Sequence, residues 1–311
     1  MKESPLFWPV RFKDNTIYIL DESLLPHKAT YIKVKDYKGA CWAIKEMKTL
    51  AVGQVLLVLY TFLLVIKKNK LKSNLLHILE NVAKNINDTR PTISLKSLTD
   101  MVLVWAKTPA CLENNILGFL ASLKNKRIAQ AKEASALIKD NDVILTYCNV
   151  SGLMPLMGNF CRLQKKEISF YVAETRPYLQ GSRLTAWELK KQGFDVTIIA
   201  DNMVAKVLSE GKINKVIVGA DHLAQNGDIA NKIGTYQIAI LAKYFRIPFY
   251  VLCPPKASTK TGKDIKIEIR PEKELLEYSG IRIAPKGVKA YYPAFDITPN
   301  ELITKHIYLK V

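Results

Sequence analysis

The chain has 311 residues, a length that favours two domains or one large α/β domain with an appendage. Apolar residues make up 49% of it and charged residues 24%, which excludes a disordered or collagen-like chain. The formal charge of +18 would suit an anionic partner, but lysines are spread along the whole chain and no RNA-binding signature accompanies them, so no nucleic-acid partner is expected.

In chain order, residues 7–20 alternate apolar and polar side chains around Asp14-Asn15, which predicts a small hairpin. The apolar period then becomes helical, over residues 36–47, 50–66, 71–85, 95–107 and 113–136. The run at 50–66, followed by Lys67 and Lys68, sits at the short limit for a membrane span and contains Gly53, Gln54, Tyr60 and Thr61. It predicts a buried core helix, and no membrane association is expected. A hairpin plus helical domain over residues 1–140 follows.

Beyond Asp142 short β-branched runs alternate with helical segments, at 143–147, 168–173, 196–200, 215–219 and 249–253. Such alternation implies βαβ units and a parallel sheet covered on both faces, an α/β domain over residues 141–311. The five cysteines are odd in number, irregularly spaced and without a CxxC pair, so thiols in a reducing compartment, the cytoplasm, are expected.

The runs end in reactive groups: Cys148-Asn149, Glu174-Thr175-Arg176, Asp201-Asn202, Asp221 and Pro254-Pro255. Ligands bind open parallel sheets outside the carboxyl ends of the strands, so these groups should converge on one crevice. A thiol at Cys148 can act as acid, base or nucleophile if its neighbours tune its charge. The fork of Arg176 suits a phosphate, Gly181-Ser182 lets backbone amides approach an anion, and Gln180 can hydrogen-bond sugar hydroxyls. Asp221 can exchange protons, while Asn231 and Lys232, expected at the start of a helix running to Tyr244, can grip phosphate. His222, beside Asp221, reads as structural. The Walker sequence, GxGxxG and HExxH are all missing, so nucleotide hydrolysis, dinucleotide redox and zinc proteolysis lack their hallmark.

Four stretches, ETRPYLQGSRLTAWEL (174–189), GADHLAQNGDIANKIGTY (219–236), IPFYVLC (247–253) and AFDITPNELIT (294–304), resemble the signatures of the methylthioribose-1-phosphate isomerase family. That family lies in the superfamily of initiation factor two B regulatory subunits and ribose-1,5-bisphosphate isomerases. The resemblance implies a helical N-terminal domain, a Rossmann-like C-terminal domain, a homodimer, and conversion of an aldose 1-phosphate to a ketose 1-phosphate without cofactor or metal. By the same matching Cys148 is the catalytic cysteine and Asp221 the catalytic acid, with Arg90 (in Arg90-Pro91-Thr92), Gln180, Asn231 and Lys232 on the substrate, beside the Arg176 that its fork already suggests.

The chain also departs from the family pattern. Leu50 stands where an arginine is usual, with Lys48 able to replace its charge but not its fork, and Tyr147 precedes the cysteine where a histidine is usual. The expected substrate is 5-methylthioribose 1-phosphate. Another phosphopentose, such as ribose 1,5-bisphosphate or a 5-deoxypentose 1-phosphate, and a non-catalytic regulatory subunit are the alternatives.

Overall fold

A computed structural model of the chain describes residues 3–70, 72–89 and 95–309. The chain divides into two compact units, one over Glu3–Arg127 and one from Ile128 onward, so the division falls inside a long helix.

The first unit opens with three antiparallel strands, β1 (Val10–Lys13), β2 (Thr16–Leu20) and β3 (Tyr31–Val34), paired in that order. The predicted hairpin is β1–β2; β3 carries no strand signal of its own because Tyr31–Val34 is half-exposed and lacks a clean alternation. Helices α1 (Tyr37–Lys45), α2 (Val52–Asn69), α3 (Leu75–Asn87) and α4 (Lys96–Ala106) follow, then α5 (Pro109–Ala136). Asp36 starts α1 by accepting the Gly39 N–H at 2.8 Å, one of the orphan donors of a first turn. α2 is apolar on almost every face and buries Leu56, Leu57, Phe62 and Leu64 completely. By length and composition it could cross a membrane, yet 72% of its apolar window is buried inside the protein, as the core helix of a helical unit requires.

Before α2, the buried Glu22 carboxylate accepts the Thr49 hydroxyl at 2.6 Å and the Leu50 N–H at 3.1 Å. Lys48 is bound to Asp21 at 3.3 Å and to the Ser23 hydroxyl at 3.1 Å. Its ammonium is thus engaged within its own unit by Asp21 and Ser23.

The second unit is built on β4 (Asp142–Tyr147), β5 (Ile168–Ala173), β6 (Asp195–Ile199), β7 (Lys215–Gly219), β8 (His222–Leu223), β9 (Ile229–Lys232), β10 (Phe249–Cys253), the short hairpin β11 (Glu277–Tyr278) and β12 (Ile281–Arg282), β13 (Phe295–Thr298) and β14 (Lys305–Tyr308). Between them run α6 (Leu153–Leu163), α7 (Ala186–Lys191), α8 (Val204–Ser209) and α9 (Thr235–Tyr244). Six strands form one parallel sheet in the order β14-β10-β7-β4-β5-β6. The order reverses direction at β4, so the crevice of a doubly wound sheet falls at the end of that strand. Runs such as Val216–Val218 are buried on both faces, which explains why they read as continuous apolar strings. β14 was invisible in the sequence because an edge strand reading Lys-His-Ile-Tyr buries only Ile307.

A second, antiparallel sheet has the order β13-β9-β8. It corrects one expectation: residues 229–232 are strand, not the start of a helix, and α9 begins only at Thr235. Pairing decides this, since Asn231 faces Asp296 and Lys232 faces Phe295 across the sheet, partners more than sixty residues away.

Candidate active site

β4 delivers its last residue into a strained turn. Cys148 has φ +62°, Ser151 φ +46° and Gly152 φ +78°, conformations that only a well-supported loop retains. Two threonine hydroxyls supply the support. The Cys148 N–H donates to Thr175 Oγ1 at 2.9 Å, and Thr185 Oγ1 donates to the Cys148 carbonyl at 2.6 Å. Asn149 donates to Thr185 at 3.0 Å and to the buried Glu188 at 2.9 Å, while its own carbonyl accepts the Ser151 N–H at 2.9 Å.

Thr175 is itself held with φ +67° at the end of β5. Asp201, beyond β6, accepts its N–H and that of Arg176, each at 2.7 Å. The chain then returns in a π-helical turn, Gly181–Thr185, that runs into α7. Gly181 is required there, because a Cβ would lie 1.9 Å from the Ala173 carbonyl oxygen and 2.9 Å from Thr175 Oγ1.

Lys232 is 6% exposed, and its ammonium stands 5.5 Å from the Tyr178 ring and 5.1 Å from the Phe295 ring. No carboxylate lies within ion-pairing distance of it among the described residues. Two aromatic faces stabilise a buried cation without neutralising it, which leaves the charge available to an anion. Asn231 donates to Thr235 Oγ1 at 2.9 Å, and that hydroxyl donates to the Lys232 carbonyl at 2.7 Å. The N-terminus of α9 is occupied: Asp296 accepts the Gly234 N–H at 2.6 Å and the Tyr236 N–H at 3.1 Å. Gly234 has φ +104°, and a Cβ there would meet the Tyr147 hydroxyl at 2.6 Å.

The electrostatics join these elements. Burial pushes the Cys148 thiol up to about 12 from an ordinary 9.0; the Lys232 charge opposes this, and the carboxylates of Asp221 and Asp201 add to it. At neutral pH the thiol is therefore protonated. Burial also raises the Tyr147 phenol, whose hydroxyl donates to the Ile233 carbonyl at 2.5 Å. The Tyr178 phenol is pushed up to about 12 by burial, against the pull of Arg270, which donates to it at 2.7 Å. The Asp296 carboxyl is pushed up to about 6 by burial, against the N–H groups it accepts. Lys232 and Asp221 thus each act electrostatically on Cys148, with Asp221 exposed at the strand end and its N–H donating to the Ala230 carbonyl at 2.9 Å.

The profile described as the initiation factor 2 subunit family matches residues 53–308. The chain belongs to that family. Members similar to it include the "Methylthioribose-1-phosphate isomerase" of Fervidobacterium nodosum, 38% identical with 93% of this chain and 89% of that protein covered. The "5-deoxyribose 1-phosphate isomerase" of Bacillus cereus is 37% identical, with 95% and 92% covered. Among solved structures, the 5-methylthioribose 1-phosphate isomerase of Pyrococcus horikoshii superposes with a TM-score of 0.87 at 29% identity, covering 98% and 93% of the two chains. The translation initiation factor eIF-2B subunit delta of A. fulgidus superposes at 0.84 with 34% identity, covering 97% and 94%.

Against this family background the expected site residues fall into four groups. Cys148, Asp221 and Lys232 share one field at the ends of β4, β7 and β9. Asn231 and Gln180 stand at the same end of the fold, Gln180 with a buried side-chain oxygen that has no hydrogen-bond partner. Arg176 turns its guanidinium towards the Leu275 carbonyl at 3.5 Å and lies 5.5 Å from the Tyr278 ring. Arg90 lies outside the described residues. His222 hydrogen-bonds Thr259 at 2.6 Å, and burial lowers its pKa, which suits a structural ring. Thr175, Thr185 and Tyr178 escaped sequence reasoning although they lie in or beside the recognised strings, because a threonine or tyrosine in a turn carries no signal of what it holds.

Proposed function

We propose that this family member is an aldose–ketose isomerase acting on a sugar 1-phosphate, converting 5-methylthioribose 1-phosphate to 5-methylthioribulose 1-phosphate as a step of methionine salvage. The observation that carries the reading is relatives of that name aligned over nearly the whole chain, joined to a buried thiol on which an exposed carboxylate and a buried ammonium both act. In this reading Lys232 and Asn231 receive the phosphate, with Gln180, Arg176 and Arg90 on the rest of the substrate.

The reaction needs two proton-handling groups. The anomeric carbon is locked by its phosphate, so a proton must reach the ring oxygen before hydrogen can move from C2 to C1. Asp221 is the group at the ring oxygen and Cys148 the group at C2. Because the resting thiol is neutral, Cys148 must give up its own proton before it can accept one, and Asp221, whose charge it feels, is the acceptor at hand. A thiol-dependent site with five free cysteines in the described chain fits a cytoplasmic enzyme, and we read it as a homodimer.

The test is turnover of 5-methylthioribose 1-phosphate followed by proton NMR, beside Cys148→Ala and Asp221→Asn. Wild-type turnover with a loss of about a hundredfold or more in each variant is expected. Conversion of 5-deoxyribose 1-phosphate in preference would move the substrate and keep the chemistry. Turnover of neither sugar phosphate would refute the isomerase and favour a regulatory subunit.

A further inference from the structure

Three phenols surround the corner between Cys148 and Lys232, and two have their hydroxyls occupied. Tyr147 donates to the Ile233 carbonyl, and Tyr178 accepts from Arg270. The third, Tyr292, is 3% exposed, and its hydroxyl is buried with no hydrogen-bond partner. A buried hydroxyl without a partner carries its full desolvation cost, so its retention asks for a partner that arrives from outside the chain.

Its position narrows what that partner is. The electrostatic interactions of Tyr292 reach Tyr178, Glu274, Arg270, Cys148 and Tyr147, which places it near the thiol. The backbone around it is fixed: Arg270 N–H donates to the Tyr292 carbonyl at 2.8 Å, Ile233 N–H to the Ala294 carbonyl at 3.0 Å, and Pro293 bridges to Ile269. Burial raises the phenol above its ordinary value, so it stays protonated and can only donate to an incoming oxygen anion. A fixed, desolvated donor beside the reacting groups is what a developing negative oxygen requires.

We propose that Tyr292 is a further catalytic residue, its phenolic hydroxyl donating a hydrogen bond to the substrate oxygen at C2 as that oxygen changes from hydroxyl to carbonyl. This rests on the isomerase reading. No atom is transferred to or from the phenol; the hydrogen bond strengthens as charge gathers on the oxygen.

The experiment compares wild type, Tyr292→Phe and, as a surface control, the exposed Tyr291→Phe, by thermal melting without substrate and by steady-state turnover of 5-methylthioribose 1-phosphate. Removing a hydroxyl that bonds nothing in the free protein leaves the Tyr292→Phe melting point unchanged or higher, while kcat falls about tenfold or more with KM little changed. Tyr291→Phe matches wild type in both. A Tyr292→Phe melting point about 4 °C or more below wild type means that the hydroxyl has a partner within the fold, and overturns the inference whatever the substrate. Wild-type turnover with kcat unchanged in Tyr292→Phe overturns the inference and leaves the isomerase standing. A wild type that turns over neither this sugar phosphate nor 5-deoxyribose 1-phosphate removes the isomerase reading and the C2 oxygen with it, while the melting comparison still decides whether the hydroxyl is unpartnered.

Discussion

Thr175→Val isolates the support of the catalytic loop. Valine keeps the shape and β-branching of threonine, so the cost of φ +67° is the same in both, and only the hydroxyl is lost. That hydroxyl accepts the Cys148 N–H at 2.9 Å and donates to the Ala173 carbonyl at 3.1 Å, all within a fully buried environment. Leaving one buried N–H without an acceptor costs about 1–3 kcal/mol, and we take about 2 kcal/mol. For a domain of this size each kcal/mol moves the melting midpoint by about 2–4 °C, so the variant should melt about 4–8 °C below wild type. Thr175→Ser, which keeps the hydroxyl, should stay within about 2 °C. Circular dichroism melts decide it. A Thr175→Val midpoint indistinguishable from wild type would show that the Cys148 N–H finds another acceptor, and the argument that Thr175 holds the thiol would be lost.

Lys215 and Asp142 form a buried ion pair at the starts of β7 and β4, with Asp142 also accepting the Lys139 N–H at 2.6 Å. Lys215→Met strands a buried carboxylate and should cost about 3–5 kcal/mol, partly recovered in the double variant with Asp142→Asn, and chemical denaturation measures both. The pair lies at the opposite strand ends from Cys148, so folded variant protein should keep its kcat. The carboxyl of Asp296 should titrate in the folded protein with a midpoint of about 6, against an ordinary 3.8, read from its carboxyl carbon resonance. The folded state then binds this proton more tightly than the unfolded chain, so the group weakens the fold progressively as pH rises from about 4 to about 6, and the penalty is complete above that. A midpoint below about 4.5 would contradict it. With iodoacetamide at about pH 8, the exposed Cys111 should alkylate while Cys148, buried and pushed up to about 12, does not. Mass spectrometry showing equal rates would refute the protonated, shielded thiol.

The features legible along the chain are mostly local. Continuous β-branched runs marked β4, β5, β7 and β10, because strands buried on both faces can carry little else. The long strings around Glu174, Gly219 and Ala294 carried the family, and Cys148 and Asp221 stood out because each follows a strand directly. Tertiary structure decided everything that depends on a distant partner. Residues 229–232 became a strand because β13 lies beside them, which local propensity cannot report. Lys48 found its partner in Asp21, and the N-terminus of α9 in Asp296. The character of Cys148 as a neutral thiol comes from burial, opposed by Lys232 some eighty residues further along the chain. Tyr292 had no mark in the sequence at all, since an unsatisfied hydroxyl exists only once the chain has closed around it.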